Sequence, residues 1–121
     1  MATEKEKIVI GKTEWVTITG KDDKTKIIGR IDTGATKSSI DTRLAAKLIL
    51  GPVKRTKIVK SAHGSSVRPI VEASISIRDQ DIIGEFSLAD RTHMKYKVLI
   101  GLDILAHNFL IDPSIEAKKQ K

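Results

Sequence analysis

Ile27-Ile28-Gly29-Arg30-Ile31-Asp32-Thr33-Gly34-Ala35 delivers one carboxylate from the end of an apolar strand into a turn of small residues. Ile27, Ile28 and Ile31 are β-branched strand formers, and Gly34 permits a sharp bend and a close approach by other groups. An aspartate on so rigid a support can give or take a proton during catalysis. The plainer alternative is an Asp turn whose side chain bonds a backbone N–H further along. Asp103-Ile104-Leu105 and Asp112-Pro113-Ser114 do not repeat the Asp-Thr-Gly triplet. Other chemistries find less support. His63, His93 and His107 are far apart and form no His-Glu-x-x-His pair, and the chain has no cysteine, so no metal and no cofactor is expected. Gly20-Lys21 is not a phosphate loop, because Trp15 and Asp22 stand where Gly and Ser or Thr are needed. Gly64-Ser65-Ser66 is not a nucleophile elbow, because Arg68 replaces its second glycine.

Short runs rich in Ile and Val, punctuated by Gly, Pro, Asp and Lys, predict many short strands. They fall at Lys5–Ile10, Glu14–Thr19 and Thr25–Ile31, the last delivering Asp32. Ser38-Ser39-Ile40 extends briefly before Asp41 caps a short helix over Thr42–Leu50, whose apolar face is Leu44, Ala45, Leu48 and Ile49. Gly51-Pro52 stops it. Val53–Ser61 and Ser66–Ile77 read as the arms of a long hairpin joined by Ala62-His63-Gly64-Ser65. Asp79-Gln80-Asp81 turns the chain into a strand over Ile82–Leu88. After Tyr96–Gly101, Leu102–Ala106 gives one or two helical turns, and Phe109–Ile111 a last strand.

The 121 residues suit one domain over 1–121, with its core in about 8–114 and a frayed Lys-rich tail over 115–121. Apolar residues are 40% of the chain but aromatics only 3%, so the core must be aliphatic. The absence of cysteine, of an 18-residue apolar run and of a leader h-region points to a cytoplasmic protein with no membrane partner. Lys and Arg exceed Asp and Glu by 22 to 15, a net charge of +7 that favours acidic partners and also discourages strand-edge aggregation. A basic barrel that binds nucleic acid rests on charge alone and is disfavoured, because one Trp, one Tyr and two Phe offer few stacking platforms.

The order of features is more informative than any one of them. Asp32-Thr33-Gly34-Ala35 follows an apolar strand, a hairpin tip lies at His63-Gly64-Ser65, and Val98-Leu99-Ile100-Gly101 opens a short helix. From about Trp15 to Pro113 this series resembles the retropepsin-like aspartic proteases. Arg68–Glu72, Glu85–Arg91, Met94–Tyr96, Val98–Gly101 and Phe109–Pro113 further resemble the prokaryotic group often labelled "ATP-dependent zinc protease", although neither a phosphate loop nor a zinc motif is present. The resemblance implies a mainly β, retropepsin-like closed β-barrel with a flap hairpin and one short helix before the C-terminal strand. It implies an aspartic endopeptidase in which Asp32 is catalytic, Thr33, Gly34 and Ala35 complete the active-site loop, His63, Gly64 and Ser65 form the flap tip, and Val98, Leu99, Ile100 and Gly101 support the loop. Hydrolysis by aspartate needs two carboxyls, so a chain with one triplet must work as a homodimer on a peptide or protein substrate; the net charge favours an acidic one. The alternative from the same fold is a dimeric peptide-binding module with little or no hydrolysis.

Overall fold

The computed structural model describes residues 6–118 and places nine strands and two short helices among them. The strands are β1 (Ile8–Ile10), β2 (Thr13–Thr19), β3 (Lys24–Ile31), β4 (Ser38–Asp41), β5 (Arg55–Ser61), β6 (Gly64–Ile77), β7 (Gln80–Ala89), β8 (Val98–Ile100) and β9 (Phe109–Ile111). Helix α1 (Thr42–Lys47) follows β4, and α2 (Leu102–Leu105) lies between β8 and β9. Strands pair in the order β2-β3-β8-β4-β7-β6, and β6 returns to β2 through Val16↔Ile77 to Thr19↔Ser74, so six strands close a barrel. Closure removes the exposed edges that an open sheet of this size would carry. The expectation of a mainly β closed barrel with a flap hairpin and a short helix before the last strand holds.

The barrel closes around side chains that the strand period sends inward. Val16 and Ile18 of β2, Val71, Ala73, Ile75 and Ile77 of β6, Phe86 of β7, and Val98 and Ile100 of β8 are all buried. Each buried Ile or Val contributes roughly 1.5–3 kcal/mol by leaving water. Phe86 is the one fully buried aromatic among the described residues, so the core is aliphatic as the composition requires.

Several local expectations shift by a few residues. The first strand starts at Ile8; Lys5 lies outside the described residues. Asp41 caps α1 as expected, accepting from the Arg43 N–H at 3.2 Å, but the helix ends at Lys47, with Ile49 in the left-handed region at φ 54°. The β6–β7 turn is Arg78-Asp79, not Asp79-Gln80-Asp81. Both residues have positive φ, 49° and 64°, the two-residue geometry whose twist matches the flanking strands. Arg78 is held there by two hydrogen bonds to the buried carboxylate of Glu14, at 2.8 and 3.2 Å.

The tail expected to fray is docked as far as it is described. The Ile115 carbonyl accepts from the Lys12 N–H at 2.9 Å, the Ala117 N–H donates to Thr13 Oγ1 at 2.9 Å, and the Trp15 indole donates to the Lys118 carbonyl at 2.9 Å. The Lys118 side chain is exposed while its backbone carbonyl does the bonding, which is why composition alone suggests fraying; residues 119–121 lie outside the described part.

Candidate active site

Asp32 follows the last residue of β3, where two hydrogen bonds fix the backbone. Ile31 N–H donates to the Lys12 carbonyl on the β2 side, and Asp32 N–H to the Ile100 carbonyl on the β8 side, both at 2.9 Å. The chain then turns: Ala35 N–H donates to the Asp32 carbonyl at 3.2 Å, and Gly34 N–H donates to Asp32 Oδ1 at 2.9 Å. This is the Asp turn anticipated as the plain reading. It coexists with availability, since Asp32 is only partly buried, Thr33 and Gly34 are exposed, and neither Asp32 Oδ2 nor the Thr33 hydroxyl has a partner among the described residues.

The loop is buttressed from below by the segment Val98–Gly101 and by α2. Strand β8 inserts between the strand that brings the chain to Asp32 and the strand that takes it away, pairing Arg30↔Leu99 with β3 and Ser39↔Leu99 with β4. Val98 and Ile100 point into the core with no exposed surface. Gly101 touches the loop itself: a Cβ there would sit 2.8 Å from the Ala35 and Lys37 carbonyl oxygens. Leu102 N–H donates to the Ala35 carbonyl at 2.8 Å and Asp103 N–H to the Thr36 carbonyl at 3.2 Å, so α2 begins by gripping the residues that follow Asp32.

Two buried polar links complete the support, and sequence reading missed both. Ser38, fully buried, accepts from Gly101 N–H at 2.9 Å and donates to Asp103 Oδ1 at 2.8 Å. Asp41 does more than cap α1: its Oδ1 accepts from the Arg91 N–H at 2.7 Å, which ties the Asp90–Lys97 loop to β4. A Ser ending a small-residue loop and an Asp in the first turn of a helix that starts on Gly were the available signals, but their pairing spans 65 residues and leaves no local trace.

Arg91 stands within electrostatic reach of Asp32. The Arg91 guanidinium donates to the Tyr96 carbonyl at 2.9 Å. Burial, and then the charge of Arg30, lower its pKa below the usual arginine value, opposed by Asp41 and Asp32, while Arg68 adds to the lowering. Arg91 therefore feels the charges of Arg30, Arg68 and Asp32. Arg30 is exposed and shares its strand face with Asp32 two residues on.

The flap residues stand at the end of a hairpin. Arg55↔Ile70 to Ser61↔Gly64 form a continuous antiparallel ladder, so the turn is Ala62-His63, while Gly64 (φ 118°) and Ser65 begin β6. All three expected tip residues, His63, Gly64 and Ser65, are exposed. A cavity of about 430 Å³ opens beneath the hairpin between Val67, Arg68, Leu88 and Asp90. Among the described residues no group of three or more His, Asp or Glu side chains is placed to hold a metal ion, and no helix is long and apolar enough to cross a membrane.

Comparison with known proteins places the geometry. Residues 44–121 match the family model described as RimB-like, "Retropepsin-like aspartic endopeptidase RimB"; the match begins after the Asp32 loop. No curated protein sequence matches the chain. Among solved structures, a Legionella pneumophila protein of unknown function (DUF785) is 20% identical with a TM-score of 0.62, over 89% of this chain and 94% of that one. Simian foamy virus protease is 16% identical with a TM-score of 0.60, over 78% and 91%. EIAV protease, solved with the inhibitor HBY-793, is 22% identical with a TM-score of 0.57, over 78% and 84%. At these identities the structural likenesses establish the fold, which the viral proteases share.

Proposed function

We propose that this chain, which belongs to the RimB-like family of retropepsin-like aspartic endopeptidases, hydrolyses peptide bonds with a pair of Asp32 carboxyls, one from each subunit of a homodimer. The observation that carries the reading is the Asp32 loop itself. It is held from beneath by Ile100, Gly101 and α2, yet among the described residues one Asp32 carboxylate oxygen and the Thr33 hydroxyl have no partner.

In this mechanism the ionised carboxyl takes a proton from a water molecule as that water attacks the scissile carbonyl. The protonated carboxyl donates to the carbonyl oxygen, and proton return to the amide nitrogen releases the two products. One chain supplies one such aspartate, so the second comes from a copy related by a two-fold axis. Thr33 bonds the partner loop across that axis, Gly34 keeps the backbone close to the attacking water, and Ala35 lines the pocket. His63, Gly64 and Ser65 close over the bound chain and exclude bulk water. The substrate is a peptide or protein segment; the net charge of +7 and the Arg30, Arg68 and Arg91 group support an acidic one, met in the cytoplasm.

The test is solution mass over a concentration series, with peptide-library cleavage by the wild type and by Asp32→Asn. A mass of twice 13.3 kDa with cleavage lost in the variant agrees with the proposal. A strict monomer that binds peptides without cutting them makes the chain a peptide-binding module instead.

A further inference from the structure

Strand β3 is paired on one edge along its length but on the other only at its end. Its β2 edge runs from Thr19↔Lys24 to Thr13↔Arg30, whereas β8 meets it only at Arg30↔Leu99 and Ile31↔Ile100. Backbone direction alternates along a strand. Ile31 N–H goes to the β2 side and Asp32 N–H to the β8 side, so Ile28 and Lys26 also aim their N–H and C=O groups to the β8 side. There the ladder has stopped: among the described residues, Lys95–Lys97, which lead into β8, have no register partner on β3.

The gap is a cavity of about 530 Å³ lined by Trp15, Ile27, Ile28, Tyr96 and Ala117, and it gathers the chain's one Trp and one Tyr. Its walls are fixed. The Trp15 indole is bonded to the Lys118 carbonyl, and Lys97 Nζ donates to the carbonyls of Arg91, Thr92 and Met94 at 2.9, 2.5 and 3.3 Å. Its rim is basic: Lys26 Nζ lies 5.5 Å from the Trp15 ring centroid and Lys95 Nζ 5.5 Å from that of Tyr96, and neither has a carboxylate partner among the described residues. Glu116 on the rim is engaged by Lys12 at 3.3 Å.

We infer that this groove is an exosite that captures an extended segment of a partner protein as an added strand on β3, with apolar side chains against Trp15, Ile28 and Tyr96 and acidic ones against Lys26 and Lys95. Open backbone groups supply affinity, and Lys26 and Ile28, two residues apart on one face of β3 with Trp15 paired to Ile28, select a segment that places an acidic and an apolar side chain two residues apart on that face. The site lies about 13 Å along the strand from Asp32, so it docks a partner without occupying the catalytic loop, and it stands whether or not Asp32 hydrolyses anything.

The probe is a capped eight-residue peptide, Glu-Ser-Val-Ser repeated twice, which puts Glu and Val on one face of the added strand, titrated against the Asp32→Asn protein so that cleavage cannot consume it. Trp15 fluorescence reports the groove, and amide exchange at Lys26 and Ile28 reports strand addition. The expected result is a saturable fluorescence change with both amides protected. Binding should weaken at least tenfold in the folded double variant Lys26→Glu/Lys95→Glu, and be lost for the Lys-Ser-Val-Ser analogue and for a peptide with a central proline. The inference is overturned by no saturable change, by equal binding of the double variant or the Lys-Ser-Val-Ser peptide, or by binding without amide protection. A Trp15 change that follows protein concentration without peptide also overturns it, and makes a second copy the occupant.

Discussion

Ser38 Oγ lies 2.9 Å from the Gly101 nitrogen and 2.8 Å from Asp103 Oδ1, so one buried hydroxyl joins the strand leaving the Asp32 loop to the turn that supports it. The same hydroxyl accepts from one group and donates to the other, which leaves no buried polar atom of the three without a partner.

Replacing Ser38 with alanine orphans the Gly101 N–H in a buried setting and is expected to cost about 1–3 kcal/mol. Denaturant unfolding of Ser38→Ala, Asp103→Ala and the double variant checks this. The losses should be clearly less than additive, because both single changes break one network.

Gly101→Ala tests the packing on the other side of that link. The added methyl group meets the carbonyl oxygens of Ala35 and Lys37 at 2.8 Å, and both are backbone atoms that cannot rotate away. A stability loss of about 1–3 kcal/mol is expected. Peptide cleavage should fall further than stability does, since the displaced residues belong to the loop that leads away from Asp32.

Asp41 satisfies two backbone donors, Arg43 at the start of α1 and Arg91 at the start of the loop before β8. Asp41→Ala is expected to lose about 1 kcal/mol for the cap and about 1–3 kcal/mol for the unpaired Arg91 N–H. Faster amide exchange should then appear in both α1 and residues 91–97, fifty residues apart in sequence. A loss confined to α1 would show that the second bond contributes nothing.

The root of the flap has a pH dependence of predictable sign. Glu72 and Glu85 face each other across β6 and β7, and Lys54 and Arg55 neutralise them, Arg55 through a two-point hydrogen bond to Glu85 at 2.8 and 2.5 Å. That hydrogen bond, more than the charge of Arg55, holds the Glu85 carboxyl below its usual value of 4.5. A depressed folded-state value contributes stability that is present above the unfolded value and lost as pH falls through the folded one. Acidification below the usual glutamate range should therefore release the Arg55–Glu85 link that reaches across β6 and loosen β5 from β6, seen as faster amide exchange over residues 55–61. Glu85→Gln should remove that pH step, and high salt should blunt it.

The parts of this architecture that were legible in the sequence are those written in local pattern. The β-branched run that ends on Asp32, the apolar Val98–Ile100 followed by Gly101, and Asp41 before an apolar helical face each announce their own geometry. What was not legible depends on residues that folding brings together. Ser38 and Asp103 lie 65 positions apart. Arg78-Asp79 lacks the Gly that marks a tight hairpin and turns there with its side chain anchored on Glu14. The tail after Pro113 looks solvated from its composition, while the described part of its backbone bonds Lys12, the Thr13 hydroxyl and the Trp15 indole. The groove between β3 and Tyr96 is the least legible, since it depends on the β3–β8 pairing being only two residues long.

The central claim is that catalysis needs one Asp32 from each of two chains, and mixing wild type with Asp32→Asn tests it most directly. Subunits are mixed at fixed total concentration, allowed to exchange, and assayed for peptide cleavage as the wild-type fraction varies. If the paired carboxyls come from both subunits, mixed dimers are inactive and activity follows the square of the wild-type fraction, about one quarter at equal mixing. Activity directly proportional to that fraction, about one half at equal mixing, would contradict a shared site.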